Sequence, residues 1–337
     1  MNNHLAADYI TQEENILAYT YRQEKAALDA LFRKIMLNPT MIRVLNGAAA
    51  PSNTEAPDFF NVCRLFADYQ QNQFYNHDDS RSFAREGFIV GSPWHGDALN
   101  ATVLFIGSNP GLTKGCLFPR WHPDGSLTLG GLDAPAVMNG DNGDVYTNYI
   151  TYDEAKDFIT GRFQHTKINP DNGYLNAYIL GDNGRLVGKP GGVAYWRGMY
   201  DVMKELLNDY PDFDPAGHGR RLMARVLSTE VVPFGSADEK TFSVANMTAF
   251  GINKVNALNY CWDNFTVPLM THSAARIVFL VGTISQVVYS GRNKIYQNRH
   301  GEKLEFVPIR HLSAMGEPDY FNAVQTLLAR GSSCPKV

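Results

Sequence analysis

The chain has 337 residues, enough for one large domain or two modest ones against a prior of roughly 150 residues per domain. Its 30 Lys and Arg stand against 34 Asp and Glu, a net charge of −4 that excludes binding to nucleic acid by overall basicity and leaves only a local basic groove. Hydrophobic residues at 44%, with 29 Gly and 17 Pro, exclude global disorder and low-complexity behaviour.

The segment from Met1 to Glu14 is polar and acidic and lacks the basic and apolar regions of a signal peptide. The longest apolar run, near Ile277 to Gly282, is far short of the ~20 residues a membrane helix needs. The expectation is a soluble, cytoplasmic protein with no membrane partner. Cys63, Cys116, Cys261 and Cys334 form no C-x-x-C pair, so no zinc or iron–sulfur ligand pattern is present and reduced thiols are expected. Neither a metal nor a cofactor is expected.

From the N-terminus, residues 8–46 carry Ile10, Ile16, Leu17, Leu28, Leu31, Phe32 and Ile35 at helical spacing among polar residues. A small-residue, Pro-bearing connector from Gly47 to Asp58 ends this unit, and a second helix is predicted over 59–74. Residues 1–90 thus read as a helical N-terminal extension. A polar patch at 76–82 and a G-S-P-W-H-G-D approach lead into the remainder, 91–337.

Four runs in that remainder read as buried strands: V-L-F-I-G from Val103, V-L-S-T-E-V-V-P-F from Val226, I-V-F-L-V-G from Ile277 and L-E-F-V-P-I from Leu304. The first and third are continuously apolar, rich in β-branched residues and closed by Gly, as parallel strands covered on both faces are. Helical patterns at about 193–209, 253–264, 283–291 and 318–330 alternate with them. The predicted fold is α/β, with a four-stranded parallel sheet.

The segment at about 112–192 has little helical period and reads as a hairpin-rich insertion. It holds Asp-Asn-Gly at 141–143, 171–173 and 182–184. The last lies inside Y-I-L-G-D-N-G-R-L-V, a hairpin signature, and W-H-P-D-G-S-L-T-L suggests another. The triplet at 141–143 lacks the Gly and terminal Glu of a calcium loop, so turn chemistry is the better account.

Ligands of open α/β sheets bind beyond the carboxyl ends of the strands, and three such ends are polar here. After the first strand comes G-S-N-P-G-L-T-K-G, a tight turn with Asn109 at its tip, for which spacing alone favours a plain Asn-Pro-Gly turn. The fourth strand runs into R-H-L-S-A-M-G, where His311 and Ser313, two apart, share a side if the loop is extended. The second strand gives T-E-V-V-P-F-G-S, and Glu230 within its otherwise apolar run is either on a solvent face, the more ordinary reading, or an unusual buried carboxylate.

The stretch V-L-F-I-G-S-N-P-G-L-T-K-G-C-L-F-P-R-W-H-P (103–123) resembles the first motif of the uracil-DNA glycosylase superfamily, in particular its mismatch-specific uracil/thymine branch. Tyr195-Trp196 is similar to the family's aromatic pair, and R-H-L-S-A-M-G stands where the family carries its second motif. The resemblance implies a three-layer α/β/α glycosylase fold over 91–337 and hydrolysis of the N-glycosidic bond of uracil or a related base in single-stranded or mismatched DNA, after base flipping. It implies that Asn109 orients the attacking water and that His311 stabilises charge on the leaving base. It further implies base or nucleic-acid contacts from Gly107, Ser108, Pro110, Gly111, Phe118, Arg120, Trp121, Arg310 and Ser313, with Met315 as a wedge.

Leu312 stands where the family has Pro, Arg120 aligns with the aromatic that stacks on the flipped base, and the pyrimidine-reading Asn has no match in P-F-G-S. These departures keep two alternatives open. One is a catalytically silent module of the same fold that binds nucleic acid or a nucleotide. The other is a hydrolase or transferase of a small nucleoside-like ligand. Any DNA groove must draw on a local basic rim, for which Lys114, Arg120, Arg310 and Arg292 are the candidates.

Overall fold

A computed structural model describes residues 3–70, 87–108, 117–131, 137–138, 145–146, 148–160, 167–168, 175–176, 178–180, 186–188, 194–207, 225–235, 243–292 and 294–328. Helix α1 spans Asn3–Met36 and α2 Pro39–Leu45, in place of one helix over 8–46. Proline disfavours helical geometry in the residue before it. Asn38 accordingly adopts φ −61° and ψ 121°, and its side chain accepts from the N–H groups of Thr40 and Met41, both at 3.1 Å. The break is therefore a capped corner. Helix α3 follows at Pro57–Asp68.

Strand β1 (Phe88–Ile89) precedes β2 (Val103–Gly107), β3 (Leu117–Trp121) and β4 (Leu127–Gly131). Short strands β5 (Val137–Met138), β6 (Val145–Tyr146) and β7 (Asn148–Ile150) come next. Helix α4 (Tyr152–Thr160) then interrupts the segment expected to have little helical character. The T-Y-D-E that opens it is a capping box: Glu154 accepts from the Thr151 N–H at 2.7 Å, and the Glu154 N–H donates to the Thr151 hydroxyl at 3.2 Å. Beyond it lie β8 (Lys167–Ile168), β9 (Leu175–Asn176), β10 (Tyr178–Leu180), β11 (Leu186–Gly188) and α5 (Ala194–Leu207).

The remaining elements are β12 (Val226–Glu230), α6 (Val244–Ala249), α7 (Lys254–Cys261), α8 (Val267–His272), β13 (Ile277–Val281), α9 (Gly282–Ser290), β14 (Glu305–Ile309) and α10 (Glu317–Leu328). A π-turn, Trp262–Thr266, joins α7 to α8. Pro268 has no N–H to continue the α-helical ladder, which accounts for the widened turn just before it.

Strands β12, β2, β13 and β14 form one parallel sheet in that order. The second strand is shorter than expected, ending at Glu230, because the Val231 and Val232 N–H groups turn to the carbonyls of Gly107 and Ser108 at 3.0 Å each. Alternate side chains enter separate apolar clusters. Leu104, Ile106, Leu227, Val278, Leu280 and Phe306 pack with residues of α1, α3, α7 and α8. Val103, Phe105, Val226, Phe279 and Ile309 pack with Met199, Val202 and Met203 of α5 and Tyr320, Val324 and Leu327 of α10. Both faces are thus covered by helices, as continuously apolar strands require. The N-terminal helices share the core of the first face rather than a core of their own.

A second sheet, antiparallel and ordered β1-β3-β4-β7, carries the F-P-R-W segment. Its β3–β4 hairpin pairs Trp121 with Leu127 around the predicted P-D-G-S turn. The strands flanking each Asp-Asn-Gly triplet pair antiparallel: β5 with β6, β8 with β9, and β10 with β11 in the register Ile179 to Val187. The turn reading of the triplets agrees with these pairings, while the triplets themselves lie outside the described residues. Among the described residues no helix is long and apolar enough to cross a membrane. Cys63 and Cys261 are free and buried; Cys116 and Cys334 lie outside the described residues.

Candidate active site at the carboxyl ends of the parallel strands

Because the four core strands are parallel, Gly107, Glu230, Val281 and Ile309 end at one edge of the sheet. Gly107 and Ser108 are buried at the end of β2, while Asn109, Pro110, Gly111 and Lys114 lie outside the described residues. At the far strand, the Gln286 amide donates to the carbonyls of Ile309 at 2.7 Å and Leu280 at 3.2 Å. That clamp from α9 ties the ends of β14 and β13 together and sets where the chain departs toward His311.

His311 is exposed and sits over the end of β13, where a Cβ built on Gly282 would lie 3.9 Å from its Cδ2. The Tyr195 ring at the start of α5 lies 5.5 Å from the imidazole, centroid to centroid, at 51°. Burial pushes the Tyr195 hydroxyl well above its ordinary pKa, and the Glu230 carboxylate adds to the shift, while the Ser228 hydroxyl acts in the opposite sense. The Tyr195 ring thus stands against His311, while its hydroxyl feels the charge of Glu230 at the end of β12.

Glu230 does not take the ordinary solvent-facing position expected of it. It is half-buried, faces Gly107 across the β12–β2 register, and lays its carboxylate over that glycine. A Cβ on Gly107 would fall 2.0 Å from Oε2 and 2.8 Å from Oε1. The sequence signal was a lone carboxylate inside an apolar run, V-L-S-T-E-V-V-P-F; that the strand ends there, opposite Gly107, is set by the register.

Several expected contact residues are seated otherwise. Arg120, 6% exposed, and Trp121 are buried in β3 of the second sheet, where they pair with Ile89 and Phe88 of β1. Phe118 belongs to β3. Met315, 8% exposed, packs in the cluster beneath α5 and α10 rather than projecting as a wedge. His311 and Ser313 do not lie on one side of an extended loop, because Leu312–Ala314 is a 3₁₀ turn closed by the Ala314 N–H on the His311 carbonyl at 2.8 Å. At three residues per turn, positions two apart point well away from each other. Ser313 itself is exposed.

The basic rim is thin among the described residues. The Arg310 side chain is 69% exposed and faces Asp319 at 3.4 Å. Arg292 follows the C-terminus of α9, which runs back from the carboxyl edge of the sheet, so it sits toward the opposite end. There it is engaged by Asp263 and by the Asn259 side chain at 2.9 Å. No three His, Cys, Asp or Glu side chains gather as a metal site among the described residues. Protein-family models give no match to the chain, and no curated protein matches it.

Proposed function

We propose that the chain is an N-glycosyl hydrolase of the uracil-DNA glycosylase kind, with the corresponding three-layer fold, that releases uracil or a related base from single-stranded or mismatched DNA. The observation that carries this reading is the convergence, at one edge of a parallel sheet, of the G-S turn after β2 and the His311 turn after β14, with Tyr195 against the imidazole. In this reading the G-S-N-P-G turn presents Asn109 to the attacking water. His311 stands over the edge to stabilise negative charge on the departing base, where a hydrogen bond strengthens as charge develops. Water adds to the sugar carbon as the bond to the base nitrogen breaks.

A second reading, hydrolysis of a small nucleoside-like ligand, is favoured by one observation: the described edge pairs its exposed Arg310 with Asp319 and adds the carboxylate of Glu230. Polyanionic DNA gains little from such an edge. The test presents purified protein with oligonucleotides containing uracil, mispaired thymine or hypoxanthine, in single and double strands, and in parallel with the free nucleosides. Base release from oligonucleotides supports the DNA reading, and release from nucleosides alone supports the second. Binding without release from either leaves a silent module of the same fold and overturns the enzymatic reading, as does no response at all.

A further inference from the structure

We propose that Ser92 and His95 form a second nucleophilic centre, in which the serine takes the acyl group of an activated carboxylic ester and the imidazole removes the serine proton. The pair lies in the G-S-P-W-H-G-D segment, which the glycosyl hydrolase reading leaves unused.

Strand β12 is the outermost of the parallel sheet, and this segment runs along its side away from β2. The His95 N–H donates to the Ser228 carbonyl at 2.8 Å, and the Ser228 N–H returns a bond to the His95 carbonyl at 2.9 Å. Further along, the Ser92 N–H donates to the Pro233 carbonyl at 2.8 Å and the Thr229 hydroxyl to the Pro93 carbonyl at 2.6 Å. Between them the buried Trp94 packs edge-on against Phe32. Gly96, at φ 99°, passes so close to β12 that a Cβ there would lie 2.1 Å from the Val226 carbonyl oxygen. The backbone is thus fixed on both sides of the pair, and its two side chains keep a set relation.

The hydrogen bonds of the imidazole define its chemistry. Nδ1 lies 2.8 Å from the Ile159 carbonyl, which can only accept, so in the neutral ring the proton sits on Nδ1. Nε2 then carries the lone pair, and it faces the Ser92 hydroxyl at 3.3 Å. A hydroxyl within reach of a base that a third group orients is the arrangement that activates a serine. The third group here is the last turn of α4, whose Ile159 and Thr160 carbonyls accept from the His95 ring and from the Gly96 N–H at 2.8 and 2.9 Å. The carboxyl end of a helix favours the positive charge that the ring gains with the serine proton. Capping α4 does not require the opposite ring nitrogen to meet a hydroxyl. Both residues are half-buried rather than sealed in the core.

The step balances without any further reagent. Ser92 Oγ bonds to the ester carbonyl carbon as its proton passes to Nε2. The bond from that carbon to the leaving oxygen then breaks, and the proton moves from Nε2 to the departing alkoxide. The products are an acyl-serine and a free alcohol, with the imidazole neutral again.

The experiment treats the full chain with 4-nitrophenyl acetate and maps the acetylated residues over time by mass spectrometry. It compares wild type, Ser92→Ala and His95→Gln, with thermal melting as the control for folding. Ser92 is expected to be acetylated about a hundredfold faster than Ser290 and Ser313, which are exposed and would lead if access alone set the rate. Ser92→Ala is expected to lose that label, and His95→Gln to slow it by about 10²–10⁴-fold, the range a positioned base contributes. Should His95→Gln fail to fold, the wild-type map still decides. Acetylation of Ser92 no faster than that of Ser290 and Ser313 overturns the proposal, as does a folded His95→Gln that labels at the wild-type rate. Neither result depends on base release, so this proposal and the hydrolase reading stand or fall separately.

Discussion

Tyr195 and His311 are held in ring contact, 5.5 Å between centroids, by helix α5 seated directly on the turn that follows β14. The seat depends on Gly198, one turn along α5. A Cβ there would lie 2.6 Å from the Leu312 carbonyl oxygen and 2.9 Å from the Leu312 Cβ. The clash is with backbone, which cannot swing aside. Gly198→Ala is therefore expected to destabilise the protein by about 1–3 kcal/mol, as overpacking does. It should also displace His311, so a denaturant titration and a base-release assay are both expected to report it, the second more severely than the melt alone explains.

Asn109→Ala is expected to lower base release by about a hundredfold or more, the scale on which a misplaced reactant loses rate. Oligonucleotide binding should change by only a few-fold. Single-turnover kinetics with a binding isotherm on the same substrate separates the two. Equal binding with no turnover in either protein would instead describe a silent module.

Salt dependence reads the number of phosphates engaged. Each neutralised phosphate adds about 0.9 to the slope of log affinity against log salt on duplex DNA. With Arg310 the exposed cation described at the candidate edge, its replacement by Ala is expected to reduce that slope by about one. A slope near zero in the wild type would sink the DNA reading while leaving a nucleoside substrate.

Acid sensitivity is expected at a site remote from the sheet edge. Burial works to raise the Glu55 pKa, but hydrogen bonds from Arg43, the Ser52 N–H and Thr40 outweigh it and hold the group at about 2, against an ordinary 4.5. A carboxylate with a depressed pKa stabilises the fold above its unfolded value and loses that contribution as pH falls through the folded one. Urea midpoints should therefore decline between about pH 4.5 and 2, and Glu55→Gln should flatten that part of the curve.

The N-terminal helices are integral to the main core. Phe32 of α1 is fully buried and meets the Trp94 ring edge-on at 4.9 Å, in the loop that runs along β12. Phe32→Ala is expected to cost about 3–5 kcal/mol, the range for emptying a buried aromatic site. A single transition that shifts as one unit in calorimetry is expected. A wild-type sheet melt with only the helices loosened would show that α1 stands apart.

Much of the scaffold was legible because it is written in local patterns. V-L-F-I-G and I-V-F-L-V are strands covered on both faces, and the pairs flanking the Asp-Asn-Gly triplets are hairpins whose partners lie a few residues apart. Other signals were local but weaker than the pattern around them. Asn38-Pro39 broke a helical period that ran through it, and the Thr151–Glu154 capping box started a helix in a segment dominated by turns.

The sequence by itself therefore determined that a polar edge exists and which loops reach it, since a parallel strand delivers its following loop to a known side of the sheet. Net charge excluded a generally basic DNA binder, but it did not say where the remaining cations stand. Tertiary structure decided that Arg292 lies toward the opposite end, that Arg120 and Trp121 turn into a second sheet, and that Arg310 meets Asp319. It also decided the setting of Glu230, because the space its carboxylate occupies is left open by a glycine 123 residues earlier in the chain. Pleat and helical period specify which side of its own element a residue takes. What stands across from it depends on strand register and packing between distant segments.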